Sequence, residues 1–114
     1  MIPEIMANEG ELDIADFGRF SEPAVLILIS LADGPKHGYA MTQDIAKTFD
    51  AQLGPGTLYG AIARLEARGL ISAIDSPDRR NPYAISELGQ RALRLRLAAL
   101  EAVARVGQGR LATA

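Results

Sequence analysis

The stretch LGPGTLYGAIARLEARGL, from Leu53 to Leu70, constrains the fold more than any other part of this chain. Its apolar residues recur at helical spacing and share one face: Leu58, Ala61, Ile62 and Leu65. A Gly-Pro-Gly run at residues 54–56 interrupts the chain before this face, and Thr57 is predicted to cap the first free amides. Gly69 suits the position just after a helix end. The sequence therefore predicts an amphipathic helix with defined ends.

The outer face of this predicted helix is nearly bare, which means that it carries few long or charged side chains. We refer to this segment as the bare helix. Small and aromatic residues occupy it, with two arginines along one edge: Gly56, Tyr59, Gly60, Ala63, Ala67, Arg64 and Arg68. An amphipathic helix normally has a charged outer face. A small face flanked by arginine predicts close contact with an anionic partner, such as the backbone and base edges of nucleic acid.

Length and composition restrict the class of protein. A chain of 114 residues is expected to form one domain, or one domain with an extension. The absence of cysteine excludes disulfides, thiolate catalysis and cysteine zinc sites. The longest apolar run, Pro23 to Ala32, is interrupted by Ser30 and is too short to span a bilayer, and the first residues do not resemble a secretion signal. We expect a cytoplasmic protein without membrane attachment.

The charge is distributed unevenly along the chain. The formal net charge is -2, yet residues 1–22 carry six acids against one arginine. Residues 53–94 carry six arginines against four acids. The half that contains the bare helix is therefore mildly basic, which permits contact with nucleic acid.

Residues 1–20 combine apolar and acidic residues, which predicts an arm that packs on another surface; a disordered tail is the alternative. Ser21 is a good N-cap for a helix through AVLILISLA, which is apolar on nearly all sides and so predicted to be central and buried. A buried strand is the competing prediction for this run. Residues 33–36, Asp-Gly-Pro-Lys, are then predicted to end this element in a loop.

A second helix is predicted from about Gly38 to Phe49, and the short break at residues 50–54 joins it to the bare helix. This is the helix-turn-helix arrangement, whose second helix enters the major groove. His37 precedes the second helix. With no other histidine and no cysteine, it is interpreted as a loop residue that helps to cap that helix, so no metal or cofactor site is expected.

Two short segments with period-two alternation follow Gly69: LISAID, and YAIS at residues 83–86. They predict a β-hairpin, or wing, directly after the recognition helix. Arg79 and Arg80 at its tip would reach phosphates or a minor groove. The alternative is a pair of solvated surface arginines.

Ser86 and Glu87 are suited to begin a last helix, which Gly107 and Gly109 are predicted to end. Two apolar seams run along it. The first comprises Leu88, Ala92, Leu95, Ala99, Val103 and Val106, and the second comprises Leu93, Leu97, Leu100 and Ala104. Since one domain covers only one seam, we expect a homodimer through this helix. The alternative is that residues 1–20 of the same chain cover the second seam.

These residues resemble the PadR-like family of transcriptional regulators over about residues 21–106. The resemblance rests on HGY at residues 37–39, PGTLY at 55–59, RLE at 64–66, GLI at 69–71 and DRRNPYAISELG at 78–89. Gly60 stands where members commonly have proline. The family implies a mainly α fold with a small β-hairpin: a winged helix-turn-helix domain with a C-terminal dimerisation helix.

The resemblance also implies a homodimeric repressor that releases double-stranded DNA when a small molecule or other signal arrives. Thr57 and Tyr59 would contact the DNA backbone, and Arg79 and Arg80 would contact phosphates or the minor groove. The predicted units are an arm at 1–20, which lies outside the family's common pattern, a DNA-binding domain at 21–86, a dimerisation helix at 87–108 and a tail at 109–114. A winged-helix protein-interaction module that does not read DNA is the alternative, and no enzymatic constellation is present in the sequence.

Overall fold

This computed structural model describes residues 23–77 and 81–114. The described residues form four helices and one antiparallel hairpin: α1 Pro23–Ala32, α2 Gly38–Phe49, α3 Pro55–Ala67, β1 Ile71–Ala73, β2 Tyr83–Ile85 and α4 Glu87–Ala112. The predicted mainly α fold with a small hairpin is confirmed. The predicted arm at 1–20, the Ser21 cap and the wing arginines Arg79 and Arg80 lie outside the described residues.

Helix α1 is the centre of the core, as its apolar composition predicts. It packs against α2, α3, α4 and β2, and Ile27 and Leu31 on it are fully buried. The competing prediction of a buried strand is wrong, because this segment is surrounded by helices that cover its β-branched side chains, and tertiary packing outweighs weak local propensity. Helix α1 is therefore the element around which the core is assembled.

Helices α2 and α3 form the predicted helix-turn-helix. The bounds of α2 agree with the prediction, and Asp50, with φ of 53°, ends it in the left-handed conformation. Ala51 and Leu53 in the turn are buried and attach it to the core.

Helix α3 begins earlier than predicted. Its N-cap is Gly54, Pro55 occupies the first turn, and the amide of Leu58 donates to the Gly54 carbonyl at 2.9 Å. The prediction that Thr57 caps the helix is wrong, because proline's fixed φ and missing N–H suit the first helical position and move the start upstream of Thr57. Thr57 is instead an exposed residue of the first turn.

The end of α3 is the predicted one. Gly69 adopts φ of 73°, its amide donates to Glu66 at 3.0 Å, and the amide of Leu70 donates to the Leu65 carbonyl at 3.0 Å. These two bonds form a Schellman motif, which satisfies the last carbonyls of the helix and turns the chain into β1.

The hairpin is shorter than the alternating pattern predicts, with Ile71 opposite Ile85 and Ala73 opposite Tyr83. A further bridge, which the sequence pattern does not predict, joins it to the segment before α2. The amide of Lys36 donates to the Tyr83 carbonyl at 3.1 Å, and the amide of Tyr83 donates to the Lys36 carbonyl at 2.9 Å. The base of the wing is therefore fixed to the helix-turn-helix.

The beginning of helix α4 lies against the end of α3 and is hydrogen-bonded to it. The Ser86 hydroxyl donates to the Gly69 carbonyl at 2.6 Å and accepts from the Gly89 amide at 3.0 Å, which confirms Ser86 as the cap. A Cβ on Gly89 would lie 2.1 Å from the Leu70 carbonyl oxygen and 2.8 Å from Ile85 Cγ1. Only glycine permits this approach, so Gly89 sets the distance between α4 and the end of α3.

Helix α4 continues through both glycines to Ala112, so the predicted end near residue 108 and the tail at 109–114 are wrong. A glycine ends a helix where it adopts a left-handed conformation, and neither Gly107 nor Gly109 has positive φ. A glycine inside a helix costs about 1 kcal/mol relative to alanine, which a long helix tolerates. With 26 residues, α4 is about 39 Å long.

A polar network links α1 to α2. Ser30, with 1% of its surface exposed, donates from its hydroxyl to Asp44 Oδ2 at 2.6 Å, and Thr48 donates to Asp44 Oδ1 at 3.1 Å. Lys36 Nζ donates to the Ser30 carbonyl. The Ser30 hydrogen bond is the main reason that the pKa of Asp44 lies below its ordinary value; partial desolvation opposes it, and Thr48 and the charge of Lys36 add to it.

Replacing Gly89 with alanine is expected to destabilise the domain by about 3 kcal/mol, because the new methyl group meets a backbone carbonyl that has little freedom to move. Urea denaturation monitored by circular dichroism measures the change. The control is Gly109→Ala on the same helix, where nothing lies within 4 Å of the new Cβ and stability should be unchanged or higher. Equal stability of the two variants would contradict the close contact at Gly89.

Replacing Ser30 with alanine is expected to lower the free energy of unfolding by about 1 kcal/mol at neutral pH. Because the folded pKa of Asp44 is lowered, its contribution is complete above the unfolded pKa and is lost as pH falls through the folded pKa. The stability difference between the two proteins should therefore shrink below about pH 4. Thermal unfolding from pH 7 to pH 3 measures it, and a constant difference would exclude the Asp44 charge as its source.

Candidate nucleic-acid interface

Helix α3 has one buried and one exposed side, as predicted. Its apolar residues face the core and are buried: Leu58, Ala61, Ile62 and Leu65. The predicted DNA-contacting residues of α3 lie on the other side: Thr57, Tyr59, Ala63, Arg64 and Arg68 are exposed and Gly60 is half-buried. The structure thus brings these side chains to one solvent-facing surface.

The centre of this surface is open to close approach. Nothing lies within 4 Å of a Cβ built on Gly56, and at Gly60 the single neighbour is Arg64 Nη1 at 3.6 Å. The guanidinium of Arg64 therefore lies over Gly60, one turn toward the start of the helix. Apart from Arg64, only Glu66 is charged within Pro55–Ala67.

Tyr59 reaches from α3 to the start of α2. It is 53% exposed, and its hydroxyl lies 2.6 Å from the position that a Cβ on Gly38 would occupy. Gly38 is the first residue of α2, so the absence of a side chain there lets the phenol rest against the end of that helix. The HGY and TLY motifs, about 20 residues apart in the chain, thus meet in space.

An open groove of about 590 Å³ lies beside Tyr59, between the start of α2 and the base of the wing. It is lined by His37, Gly38, Tyr39, Ala40, Tyr59, Asn81 and Tyr83. His37 occupies the N-cap position of α2 as expected, but its side chain makes no capping hydrogen bond, so that part of the prediction is wrong. The sequence did not indicate the groove, since Tyr83 reaches it only through the unpredicted Lys36 bridge.

Burial raises the pKa of Tyr83, and the negative charge of the Glu66 carboxylate raises it further. The phenol therefore stays protonated at neutral pH and remains a hydrogen-bond donor at the edge of the groove. Together with Tyr39 and Tyr59, it gives this surface three phenols at the junction of α2, α3 and the hairpin.

The predicted dimerisation residues of α4 divide into two groups. Leu88, Leu95, Leu97, Ala99, Leu100 and Val103 are exposed, and Ala92 is half-buried. Leu93, in contrast, is 7% exposed and belongs to the core of its own chain. Its assignment to a dimer interface is corrected, because the first turns of α4 pack on α1 and β2 and bury the start of the second seam.

Two other classes of site are not found within the described part of the chain. No group of three histidine, aspartate or glutamate side chains is arranged to hold a metal ion among residues 23–77 and 81–114. Within the same residues, no helix combines the length and apolar character that crossing a membrane requires.

Comparisons with known proteins agree with this geometry. The model of the transcriptional regulator PadR-like family matches residues 27–95. A curated relative, an uncharacterized 37.1 kDa protein in transposon TN4556 of Streptomyces fradiae, is 41% identical over 75 residues. That match covers 66% of this chain but only 22% of the relative.

Solved structures share the fold. A PadR family transcriptional regulator from Eggerthella lenta is 25% identical with a TM-score of 0.72, covering 94% of this chain and 96% of that chain. A transcriptional regulator from Clostridium thermocellum is 28% identical with a TM-score of 0.66, covering 73% of this chain and 86% of the other. Since the family model matches more than half of the chain and the winged helix-turn-helix agrees with these structures, the protein belongs to the PadR-like family of transcriptional regulators.

Proposed function

We propose that this protein is a dimeric, sequence-specific DNA-binding repressor whose α3 enters the major groove. The observation that carries the proposal is the exposed side of α3, where Gly56, Gly60 and Ala63 leave the backbone close to solvent and Arg64 is the only cation at mid-helix. Such a face permits a helix to lie deep in a groove of DNA.

Thr57 and Tyr59 would anchor the first turn of α3 to the DNA backbone. Both are exposed, and the Tyr59 hydroxyl is held at the start of α2. Hydroxyls at this place donate well to phosphate oxygens, and such contacts fix the register of a helix on the duplex. Arg68 at the end of α3 and the wing residues Arg79 and Arg80 would add phosphate contacts on either side.

A second copy of the chain would cover the exposed seam of α4. Leu95 and Val103 on this seam are 75% and 70% exposed, a state that leaves a continuous apolar row in water. Pairing of two α4 helices buries the row and holds two copies of α3 on one face of DNA. The two recognition helices should then lie about 34–36 Å apart, which matches successive major grooves.

A dimer bound over a promoter would exclude polymerase, and a small molecule or another signal that changes the angle between the two copies would release it. This regulatory step rests on the family resemblance. A reporter under the protein's own promoter should become active when the gene is deleted or the signal is present.

The proposed function is tested by titrating the DNA upstream of the gene and a random duplex of equal length across a range of salt. Specific binding should be at least about 1,000-fold tighter than random binding. The logarithm of the binding constant for the upstream DNA should fall linearly with the logarithm of the salt concentration. Equal affinity for both duplexes would overturn DNA reading and favour a protein-interaction module.

Replacing Val103 with glutamate is expected to separate the dimer, because an unpaired charge would be buried in the seam. Sedimentation measures the oligomeric state, and affinity for the upstream DNA should fall with it. The control is Ala98→Glu, which adds the same charge at an exposed position on the polar side of the same helix. Monomers of the control, or dimers of Val103→Glu, would contradict this interface.

Replacing Gly38 with alanine is expected to weaken DNA binding about tenfold through loss of one hydrogen bond to a phosphate. The new methyl group would displace the Tyr59 hydroxyl, while the exposed phenol can move without unfolding the domain. Fluorescence anisotropy with labelled DNA gives the affinity, and thermal unfolding should show little change. In a Tyr59→Leu background the same substitution should have almost no effect, and a full tenfold loss there would contradict the role of Tyr59.

A further inference from the structure

Arg64 occupies a distinctive position on α3. It lies three residues from the end of a helix that spans Pro55–Ala67, and its guanidinium is directed back over Gly60 toward the first half of the helix. The first half of a recognition helix is the part that contacts base edges in a helix-turn-helix. Arg68, by comparison, is the C-cap residue, at the far end.

The guanidinium of Arg64 is available to a ligand. Among the described residues it forms no ion pair and no hydrogen bond from its side chain, and the residue is exposed. Glu66, the other charged residue of α3, lies two positions further on, which is the wrong spacing for a pair on one helix face. The donors of Arg64 are therefore not engaged within the described part of the protein.

Gly60 controls how near the guanidinium comes to a base. The face around Arg64 consists of Gly56, Gly60 and Ala63, so no long side chain holds the helix away from the floor of the groove. In the major groove, guanine presents N7 and O6 as two adjacent acceptors, and the planar fork of arginine matches this pair. None of the other exposed side chains within α3 carries such a fork.

We propose that Arg64 is the specificity-determining residue of this protein and donates two hydrogen bonds to one guanine in each half-site, with Gly60 providing the close approach. This inference rests on the proposed DNA-binding function and adds the base that α3 reads. The two arginines then have different roles: Arg64 determines which DNA sequence is bound, whereas Arg68 contacts only a phosphate.

The experiment begins with selection of binding sites from randomised duplexes by the wild-type dimer. The selected half-site should contain one invariant guanine. Replacing that guanine with 7-deazaguanine removes the N7 acceptor and keeps base pairing, and it should weaken wild-type binding at least about fivefold. The same DNA change should leave Arg64→Ala binding unaltered.

The protein variants separate base reading from charge. Arg64→Ala should bind the selected site about 5- to 150-fold more weakly, with relaxed preference at the guanine position and unchanged affinity for random DNA. Arg64→Lys keeps the charge, loses the fork, and should also lose most of the preference for guanine. The matched control, Arg68→Ala, should weaken binding to both duplexes equally and reduce the salt slope by about one.

Gly60→Ala tests the close approach. Alanine fits beside Arg64 Nη1 at 3.6 Å and should stabilise the helix, so the thermal midpoint rises while affinity for the selected site falls about tenfold. Affinity equal to wild type would remove Gly60 from the inference.

The outcomes distinguish failure of the inference from failure of the proposed function. If Arg64→Ala weakens binding to selected and random DNA alike, Arg64 holds a phosphate and the inference is overturned while DNA binding stands. If the wild-type protein selects no sequence and binds no duplex more tightly than random DNA, the proposed function itself is overturned. A selected site without an invariant guanine also overturns the inference.

Discussion

The close contact between Gly89 and the Leu70 carbonyl is the constraint on which the rest of this structure depends. It joins the end of α3 to the beginning of α4 with no space for a side chain. Ser86 reinforces the joint from both sides, since its hydroxyl donates to the Gly69 carbonyl and accepts from the Gly89 amide. These contacts fix the direction of α4 relative to the end of α3. In the proposed dimer, the orientation of the exposed seam on α4 would therefore determine where the partner copy places its own α3.

A second set of contacts fixes the other side of the exposed surface around α3. The paired backbone bonds between Lys36 and Tyr83 attach the hairpin to the segment before α2, and the Tyr59 phenol rests on Gly38 at the start of that helix. The groove beside Tyr59 is therefore built from three parts of the chain that are distant in sequence. The exposed surface around α3 is formed by α2, α3 and the base of the wing. In the proposed complex, a small displacement of any one of the three would move the phenols relative to DNA.

Local signals predicted the elements, and long-range packing explains the differences. The ends of α2, the Gly69 turn and the Ser86 cap follow from neighbouring residues, because caps and left-handed turns are decided within one helical turn. Thr57 is not the cap, because Pro55 already begins the helix. The burial of Leu93 and the bridge from Lys36 to Tyr83 depend on how α1 brings α4 and the hairpin together, which no local pattern encodes. The exposed face of α3 was predictable, since helical periodicity alone separates it from the core.

The acidic balance of the chain limits how the proposed DNA binding can be achieved. With a formal net charge of -2, non-specific attraction to phosphates is weak, so one copy of α3 with a single mid-helix arginine would bind a half-site only loosely. In the proposed dimer, two copies held rigidly would make the second contact intramolecular, and the effective concentration of the second helix would then multiply the affinity without any new residue at the interface. The same rigidity would make the proposed binding sensitive to the spacing of the two half-sites, because two helices at the wrong distance cannot both contact DNA. In the proposed dimer, Gly89 would therefore contribute to affinity without touching DNA, because it sets the distance between α4 and the end of α3 and so the angle at which both copies would meet the duplex.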